Sequence, residues 1–351
     1  MSILVLGGTR FFGRAAVERL IAHGHQVTIL SRGVTPLPFS ADSVRHMKCD
    51  RSEEGATAEL LSCEPPFDVV FDNSAMTERA VREVVETIHP PTRYILTSSG
   101  AVYHRPKEIP LEGLKRLTDR EVGDYDPFDF LRPLVEDRVP LVSEWLRREV
   151  AAEEPGYRRG KLEAECALIE ATRRGPTSAI ILRPPQIEGP RDPTGRTEFF
   201  ARRVQDGRGL ILPLEGAGGA FQKIFSEDLA DLVTEAVESP GRVEGAYNAA
   251  REEVFTMERY LRGLALVLGV DPPPIYYLPL ADIEESLGVD YRVPVPSPKV
   301  MDVSRAKAHL GFEPGEYQVR MASTLRWILK RPAAPGYSDL REREIELLSR
   351  L

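Results

Sequence analysis

The sequence predicts an α/β protein with a doubly wound parallel sheet, because apolar runs of strand length alternate with amphipathic or charged stretches in its first half. Such alternation is typical of right-handed βαβ units, whose helices cover both faces of the sheet. A glycine-rich turn directly after the first run is the second observation that favours this fold class. The runs are Ile3–Leu6, Gln26–Leu30, Val69–Phe71, Arg93–Thr97 and Ala179–Leu182.

This pattern is interrupted once and then returns. Pro184 and Pro185 end the last run, and a stretch rich in glycine and proline follows. A strand at 222–225 and a helix at 227–238 then resume the pattern. We therefore expect a dinucleotide-binding Rossmann domain and a smaller α/β C-terminal substrate-binding domain. Their expected bounds are 1–183 with 221–250 for the first, and 184–220 with 251–351 for the second.

A long, highly charged insertion occupies residues 105–154 of the first domain. Loops of this length in compact domains are usually functional lids or carry their own helices, and Ser143–Glu154 is a candidate helix. A solvated surface insertion is an equally good interpretation.

Composition narrows the function classes. The 351 residues carry a formal net charge of −8, which argues against a general nucleic-acid binder and leaves a small-molecule substrate as the expectation. The three cysteines form no CxxC pair, no metal-ligand spacing occurs, and no apolar run reaches membrane-spanning length. The first strand starts at Ser2 or Ile3 and leaves no room for a leader, so we expect a cytoplasmic protein. Because no metal-ligand spacing occurs, we also expect a protein that binds no metal.

The glycine-rich turn predicts a dinucleotide site. Gly7 and Gly8 permit a tight turn with close backbone approach, and Gly13 lets the following helix pack on the strand. The helix N-terminus then faces the pyrophosphate. The candidate cofactor-binding residues of the turn are Gly7, Gly8, Thr9, Arg10, Phe11, Phe12 and Gly13.

The end of the second strand favours NADP, with NAD as the alternative. Ser31 stands 18 residues after Gly13, where an acidic residue would bind the ribose 2′-hydroxyl of NAD. Arg32 follows it, and together with Arg10 it can pair with a 2′-phosphate. A carboxylate there would repel that phosphate.

The chain resembles the extended short-chain dehydrogenases/reductases of the NAD-dependent epimerase/dehydratase-like family. The resemblance covers nearly the whole chain in family order. It is carried by GGTRFFG at 7–13, Asp50–Arg51, SSGAVY at 98–103, YRRGK at 157–161, LRP at 182–184, EDLA at 227–230, YN at 247–248 and LGF at 310–312. It implies Tyr157 as the acid/base, Lys161 as its activator and ribose anchor, and Ser99 as the hydroxyl that orients the substrate. It further implies cofactor contacts at Asp50, Arg51, Ala75 and Pro184.

The chemistry of the YxxxK pair fits these roles. Tyr157 and Lys161 lie one helical turn apart, and a nearby ammonium favours the phenolate of a tyrosine whose pKa is ordinarily near 10. A competing pair, Tyr103 and Lys107, contains Pro106 in a loop, so no helical turn aligns it. We expect Tyr103 to line the substrate pocket instead.

The reaction type is narrowed by residues that differ from the family pattern. The Asp-Glu pair that follows the catalytic hydroxyl in the family's dehydratases is Gly100-Ala101 here, which disfavours dehydration. Phe221 occupies the place of a diphosphate-binding arginine, and Glu188 that of a family tyrosine. Arg191, Arg196 or Lys223 could substitute for the arginine. The substrate-side candidates are therefore Tyr103, Glu188, Arg191 and Gln222.

Three hypotheses stand at this point. The first is an NADP-preferring oxidoreductase or epimerase acting on a sugar-like or nucleotide-sugar hydroxyl or carbonyl. The second is a nucleotide-sugar dehydratase or lyase that uses transient oxidation. The third is a non-catalytic dinucleotide- or RNA-binding protein, because the GGTR turn and Gln222 resemble chloroplast RNA-associated members of the superfamily. The resemblance also implies a homodimer, through helices at 77–88 and 162–173.

Overall fold

A computed structural model describes residues 1–89, 93–103, 134–136, 141, 143–173, 175–215, 219–289 and 291–351. Within these ranges, a parallel sheet of seven strands confirms the predicted α/β fold class. Its order is β10-β6-β5-β4-β1-β2-β3, with every neighbouring pair parallel. The strands are β1 (Ser2–Leu6), β2 (Gln26–Ser31), β3 (Val44–Lys48), β4 (Val69–Asp72), β5 (Arg93–Thr97), β6 (Ser178–Arg183) and β10 (Gly245–Asn248).

Helices cover both faces of this sheet and enclose two apolar cores. One core contains Val5, Ile29 and Leu229, and the other contains Leu4, Val70 and Leu168; all six side chains are buried. Neighbouring residues of β1 belong to opposite cores because side chains alternate along a strand. The helices are α1 (Phe11–Ala22), α2 (Ala56–Ser62), α3 (Glu78–Val85), α4 (Ser143–Ala152), α5 (Tyr157–Thr172), α7 (Ser226–Glu238) and α10 (Ser304–Leu310).

A second region packs over the carboxyl ends of the strands. An aromatic cluster of Phe221, Phe255 and Tyr260 lies at its centre. Two parallel two-stranded sheets, β7 with β9 and β8 with β11, add to it. Its elements are β7 (Gln186–Glu188), α6 (Arg196–Asp206), β8 (Leu210–Pro213), β9 (Lys223–Phe225), α8 (Met257–Leu268), β11 (Ile275–Leu278), α9 (Leu280–Leu287), α11 (Tyr317–Leu329) and α12 (Tyr337–Leu348).

Two helices begin earlier than the patterns suggest. The helix expected to pack at Gly13 already starts at Phe11, and the helix expected at 162–173 starts at Tyr157. Most of the charged insertion lies outside the described residues. Its last part forms α4, which buries Leu146 completely and pairs Arg147 with Glu170 of α5.

Within the described ranges, no helix combines the length and apolar character needed to cross a membrane. The same ranges hold no cluster of three or more histidine, cysteine or carboxylate side chains suited to a metal ion.

The C-terminal helix is anchored by buried charge. Arg203 of α6 donates from Nε to Glu344 Oε2 at 2.8 Å, and both side chains are almost fully buried. We expect Glu344→Ala to lower the free energy of unfolding by about 3–5 kcal/mol, since it leaves Arg203 buried and unpaired. Urea denaturation measures this. Glu342→Ala on the exposed face of the same helix is the matched control, and an equal effect of both variants would contradict the assignment.

Candidate active site

The predicted cofactor residues gather at one edge of the sheet. They follow the carboxyl ends of parallel strands: Gly7 after β1, Arg32 after β2, Asp50 after β3, and Ser99 after β5. Ligands of open α/β sheets bind at this edge. The common direction of the strands is therefore what brings these distant segments of the chain together.

The glycine turn has the backbone that its sequence predicts. Gly7 adopts φ +91°, a region that favours glycine. A Cβ at Gly13 would lie 2.1 Å from Asn73 Nδ2 and 2.3 Å from the Gly7 carbonyl oxygen. That same Asn73 amide donates a 2.6 Å hydrogen bond to the Gly7 carbonyl. Only glycine fits at position 13 between α1 and this clamp.

The start of α1 suits an anionic group. Arg10 is the N-cap in an extended conformation, and its side chain makes no capping hydrogen bond to the first backbone N–H groups of the helix. These groups and the helix dipole attract phosphate. Phe11, strained at φ +45°, and Phe12 line the adjoining cavity. The turn therefore fits a dinucleotide pyrophosphate.

Basic side chains surround the ends of β2 and β3. Arg32 is exposed, and Lys48 packs its stem over Gly33, with Cδ 3.1 Å from where a Cβ would lie. His46 Nε2 is 2.9 Å from Ser31 Oγ. Burial, with the Lys48 charge adding to it, lowers the pKa of His46. Lys48 and His46 were missed in the sequence because β3 carries no motif.

Asp50 and Arg51 differ in their surroundings. Asp50 is partly exposed and accepts hydrogen bonds from the Ser52 backbone N–H and hydroxyl, which lower its pKa. Arg51 instead makes a bidentate pair with the fully buried Asp72, at 2.9 and 2.8 Å. Burial would raise the pKa of Asp72, but the Arg51 charge and hydrogen bonds lower it. Arg51 thus belongs to the framework under the turn, which corrects its assignment as a cofactor contact.

Lys161 is the most constrained group of the site. Its Nζ donates to the carbonyls of Ala75 and Thr97, both at 2.9 Å, and the side chain is buried. Burial lowers its pKa to about 8. Gly160 lets α5 approach this closely, because a Cβ there would be 2.4 Å from the Met76 carbonyl oxygen. Ala75 is fully buried and acts through its carbonyl rather than as a wall of the pocket.

The three predicted catalytic residues line one cavity. Lys161 Nζ lies 5.9 Å from the centroid of the Tyr157 ring, and Tyr157 is 54% exposed, so a ligand can reach its hydroxyl. Ser99 caps the short 3₁₀ turn Gly100–Val102 by accepting a 3.1 Å bond from the Ala101 N–H. This arrangement places a hydroxyl, a phenol and an ammonium around the same space.

The cavity runs from the glycine turn to the second region and has a volume of about 810 Å³. It contains space for a ligand beside the three predicted catalytic residues. Its described lining comprises Phe11, Phe12, Asn73, Ser74, Met76, Thr97, Ser98, Ser99, Gly100, Ala101, Tyr157, Lys161, Pro184, Pro185, Gln186, Ile187, Thr194, Arg196, Gln222, Pro294, Val295, Pro296, Ser297 and Lys299. Pro184, a candidate cofactor contact, and Gln222, a candidate substrate residue, both line this cavity.

Tyr103 is buried below the site, which corrects the expectation that it lines the pocket. Its hydroxyl donates a 2.6 Å bond to Asn248 Oδ1 and accepts from Arg183. Burial raises the pKa of Tyr103 to about 12. Lys107, its partner in the competing pair, lies outside the described residues.

A buried carboxylate continues the Tyr157–Lys161 face of α5. Glu165 pairs with Arg183, both side chains being fully buried, and accepts a 2.5 Å bond from Ser98 Oγ. This network joins α5 to the segment that carries Ser99. In the sequence, Glu165 is a single glutamate four residues after Lys161, and this pattern does not predict the buried network.

Two further substrate candidates are also corrected. Glu188 pairs with Lys223 at 2.9 Å and accepts from Tyr260, within the core of the second region. Arg191 does not line the cavity and pairs instead with Glu18 on α1. Phe221 is buried in the aromatic cluster, so it offers no charge to a diphosphate.

The stretch 294–299 carries no sequence motif that predicts a place in the site. Its prolines indicate extended backbone, but nothing in the pattern says where the stretch lies in space. In the structure it contributes Val295, Ser297 and Lys299 to the lining of the cavity.

Comparisons with known proteins agree with this geometry. Residues 3–126 match the model of the NAD dependent epimerase/dehydratase family. The chloroplast stem-loop binding protein of 41 kDa b of Arabidopsis thaliana is 27% identical over 78% of this chain, a match that spans 65% of that protein. The 3-diazoavenalumate denitrifying reductase of a Streptomyces species is 26% identical over 90% of this chain and 96% of its own length.

A solved structure supports the fold. The UDP-glucose 4-epimerase of Thermotoga maritima, crystallised with UDP-glucose, superposes with a TM-score of 0.66 at 19% identity. The superposition covers 94% of this chain and 99% of that one.

The burial of Lys161 has a measurable consequence. We expect its ammonium to titrate near pH 8, whereas an ordinary lysine titrates near 10.4. The pKa of Lys161 is lower in the folded state than in the unfolded state, so above pH 8 the unfolded chain binds more protons than the folded one. The contribution of Lys161 to the free energy of unfolding therefore increases as the pH rises from 8 toward 10.5. NMR titration of lysine side-chain resonances measures the midpoint.

Lys161→Met should remove the early titration, and Lys330→Met, at an exposed lysine, should leave it in place. A Lys161 midpoint above pH 10 would contradict the burial argument.

Proposed function

We propose that this chain is an NAD(P)-dependent oxidoreductase or epimerase, because residues 3–126 match the model of the NAD dependent epimerase/dehydratase family. Its substrate is a sugar-like hydroxyl or carbonyl compound. One observation carries this proposal: Ser99, Tyr157 and Lys161 line the same cavity as Phe11 and Phe12 of the dinucleotide turn.

The protein groups handle the proton. Tyr157 takes the hydroxyl proton of an alcohol substrate during oxidation, or gives a proton to the carbonyl oxygen during reduction. Lys161 favours the phenolate form by its charge, and Ser99 orients the same substrate oxygen. The bound dinucleotide supplies a hydride acceptor or donor at its nicotinamide ring. Oxidation followed by re-reduction on the other face gives epimerisation.

Packing at Gly100 supports redox chemistry over dehydration. Glycine carries no carboxylate, and the Met301 side chain fills the space beside position 100, where a Cβ would lie 2.1 Å from Met301 Cε. Ala101 offers none either. The site thus lacks, at both positions after Ser99, the acid/base group that water elimination would use.

NADP is the proposed cofactor, with NAD as the alternative named by the family. Support comes from Arg32 and Lys48 around the ends of β2 and β3, where a 2′-phosphate would lie. Asp50 is nearby and partly exposed, and the Arg32 charge contributes to its lowered pKa. The two cations outweigh that single carboxylate.

RNA binding is a second candidate, because the Arabidopsis relative is named for binding a stem-loop. The net charge of −8 weighs against it, and a pure binder needs neither Tyr157 nor Lys161 at a cavity.

A cytoplasmic location remains our proposal. So does a homodimer, although α4 packs on the helix expected to form part of its interface.

The acid/base role predicts a specific loss. We expect Tyr157→Phe to lower kcat by about 10²–10⁴-fold, since it removes the proton carrier, with the Kd for NADPH within about threefold. Turnover is measured with UDP-glucose, UDP-glucuronate and any ligand that mass spectrometry finds co-purifying with the protein. Consumption of NADPH indicates reduction, and product formation without net consumption indicates epimerisation.

The matched control is Tyr276→Phe on β11, whose side chain is outside the described lining of the cavity, and it should retain kcat within about threefold. If Tyr157→Phe turns over as fast as the parent chain, Tyr157 is not the acid/base.

The two cations at the ends of β2 and β3 predict cofactor preference. We expect NADPH to bind about tenfold more tightly than NADH, because Arg32 pairs with the 2′-phosphate. Arg32→Ala should reduce the preference to near unity and leave the Kd for NADH unchanged. Fluorescence titration measures both constants. Arg242→Ala, an exposed arginine paired with Glu244, is the control, and a tenfold preference for NADH would overturn the proposal.

A further inference from the structure

Arg158 stands directly after Tyr157, and its guanidinium connects three segments of the chain. Its Nε and Nη2 donate to the carbonyl oxygen of Val102 at 3.1 and 2.9 Å. Nη2 also donates to Glu149 at 3.2 Å, and Nη1 pairs with Glu153. Only 14% of the Arg158 side chain is exposed, so these contacts form largely out of water. Glu149 belongs to α4 and Glu153 follows its end, so the guanidinium joins α5 to the charged insertion.

The Val102 carbonyl belongs to the turn that Ser99 caps. Val102 is the last residue of this 3₁₀ turn, and its backbone N–H donates to the Ser99 carbonyl at 3.2 Å. The Val102 side chain is fully buried in one apolar cluster with Leu146 of α4 and Leu162 of α5. Arg158 therefore links the start of α5 to the segment that carries the Ser99 hydroxyl.

The first turn of α5 depends on contacts of this kind. The first backbone N–H groups of a helix have no partner within the helix, and helix ends open easily. The N-cap of α5 is a glycine, which offers no capping side chain, and Tyr157 is largely exposed. Lys161 anchors the helix one turn later. Before that point, Arg158 holds the chain together with Arg159, which donates to the Glu153 carbonyl at 3.2 Å.

The two carboxylates lie at an end of α4 where they do not stabilise that helix. Glu149 is in its last turn and Glu153 just beyond it, and a negative charge there opposes the helix dipole. The guanidinium of Arg158 compensates both charges. These carboxylates are partly buried, whereas the ion pair of Glu144 with Arg148 on the same helix is exposed. An exposed pair contributes little, but a pair largely out of water is costly to break.

We propose that Arg158 is a positioning residue, which holds Tyr157 in place relative to Ser99. Glu149 and Glu153 hold its guanidinium in turn, so the charged insertion serves the reaction through α4. This inference rests on the proposed function, and it makes α4 part of the site rather than a solvated surface addition. Two groups that act on one substrate oxygen must match closely in position, so a small displacement of Tyr157 lowers kcat while the cofactor site stays intact.

A first measurement needs no substrate. The Gly160 amide donates to the Gly156 carbonyl at 3.0 Å, so it exchanges with solvent when the first turn of α5 opens. Hydrogen exchange compares the full chain, saturated with NADP, with its Arg158→Met variant. We expect the Gly160 amide to exchange about tenfold faster in the variant and the amides of β4 to keep their rates. The matched control is Arg148→Met, which removes the exposed arginine of α4 and should change neither.

A second measurement follows the turnover of UDP-glucose and UDP-glucuronate. We expect Arg158→Met to lower kcat about 10- to 100-fold, because Tyr157 is displaced, and to leave the Kd for NADPH within about threefold. Arg158→Lys keeps the charge and a donor for the Val102 carbonyl, so it should recover most of the lost kcat.

A variant of α4 tests the part that the insertion plays. Replacing both carboxylates, as Glu149→Gln with Glu153→Gln, leaves Arg158 and its bond to Val102 in place. We expect this double variant to lower kcat about tenfold and to speed exchange at Gly160, because the guanidinium loses its charged partners. Glu144→Gln, which removes an exposed carboxylate from the same helix, should change neither.

Equal exchange of Gly160 in the parent and in Arg158→Met overturns the inference, and so does an undiminished kcat in Arg158→Met or in the double variant. Loss of NADPH binding together with kcat, without rescue by Arg158→Lys, indicates a merely structural role and also overturns it. If Arg158→Met fails to fold, the double variant carries both measurements.

Failure of the proposed function is separable, because it shows as undiminished turnover in Tyr157→Phe. If the parent chain turns over neither sugar nucleotide, the exchange of Gly160 in Arg158→Met and in the double variant decides the inference alone.

Discussion

The ammonium of Lys161, held between the carbonyls of Ala75 and Thr97, is the contact on which the site depends. These carbonyls follow two neighbouring parallel strands, so the ammonium joins α5 to the carboxyl edge of the sheet. Gly160 makes the approach possible, because any side chain there would meet the Met76 carbonyl. This contact fixes the orientation of α5, so Tyr157, one helical turn before Lys161, faces the cavity. The cost is a buried charge with a lowered pKa, which makes the site sensitive to pH.

A second set of buried charges supports this contact from below. Glu165 joins Ser98 to Arg183, and Arg183 in turn bonds to the hydroxyl of Tyr103. Buried pairs of this kind add little net stability, but they are costly to break and so fix one arrangement of their segments. The polar core under the cavity therefore adds little net stability, but it fixes the position of Ser99 relative to α5.

The sequence predicted the parts of the site that local chemistry defines. The roles of Gly7 and Gly13 can be predicted because a tight turn and a closely packed helix admit no side chain. The Tyr157–Lys161 pair can be predicted because four residues make about one helical turn. Sequence reasoning failed where a side chain has its partner far along the chain. Arg51 meets Asp72 and Glu188 meets Lys223, and nothing in the local pattern shows that these charges are already paired. The prediction for Tyr103 was wrong for the same reason, because its hydrogen-bond partner Asn248 lies 145 residues away in the sequence.

By itself, then, the sequence determined the fold class, and it singled out the glycine turn and the side chains of Ser99, Tyr157 and Lys161, because strand alternation, glycine geometry and helical spacing are local properties. Only the tertiary structure decided which polar residues are buried as framework and which face the cavity. It also decided that residues of the stretch 294–299 line the cavity and that Lys299 contacts Gly100. The physical reason is that long-range packing, and not the order of residues, sets which charges meet and which are left to bind a ligand.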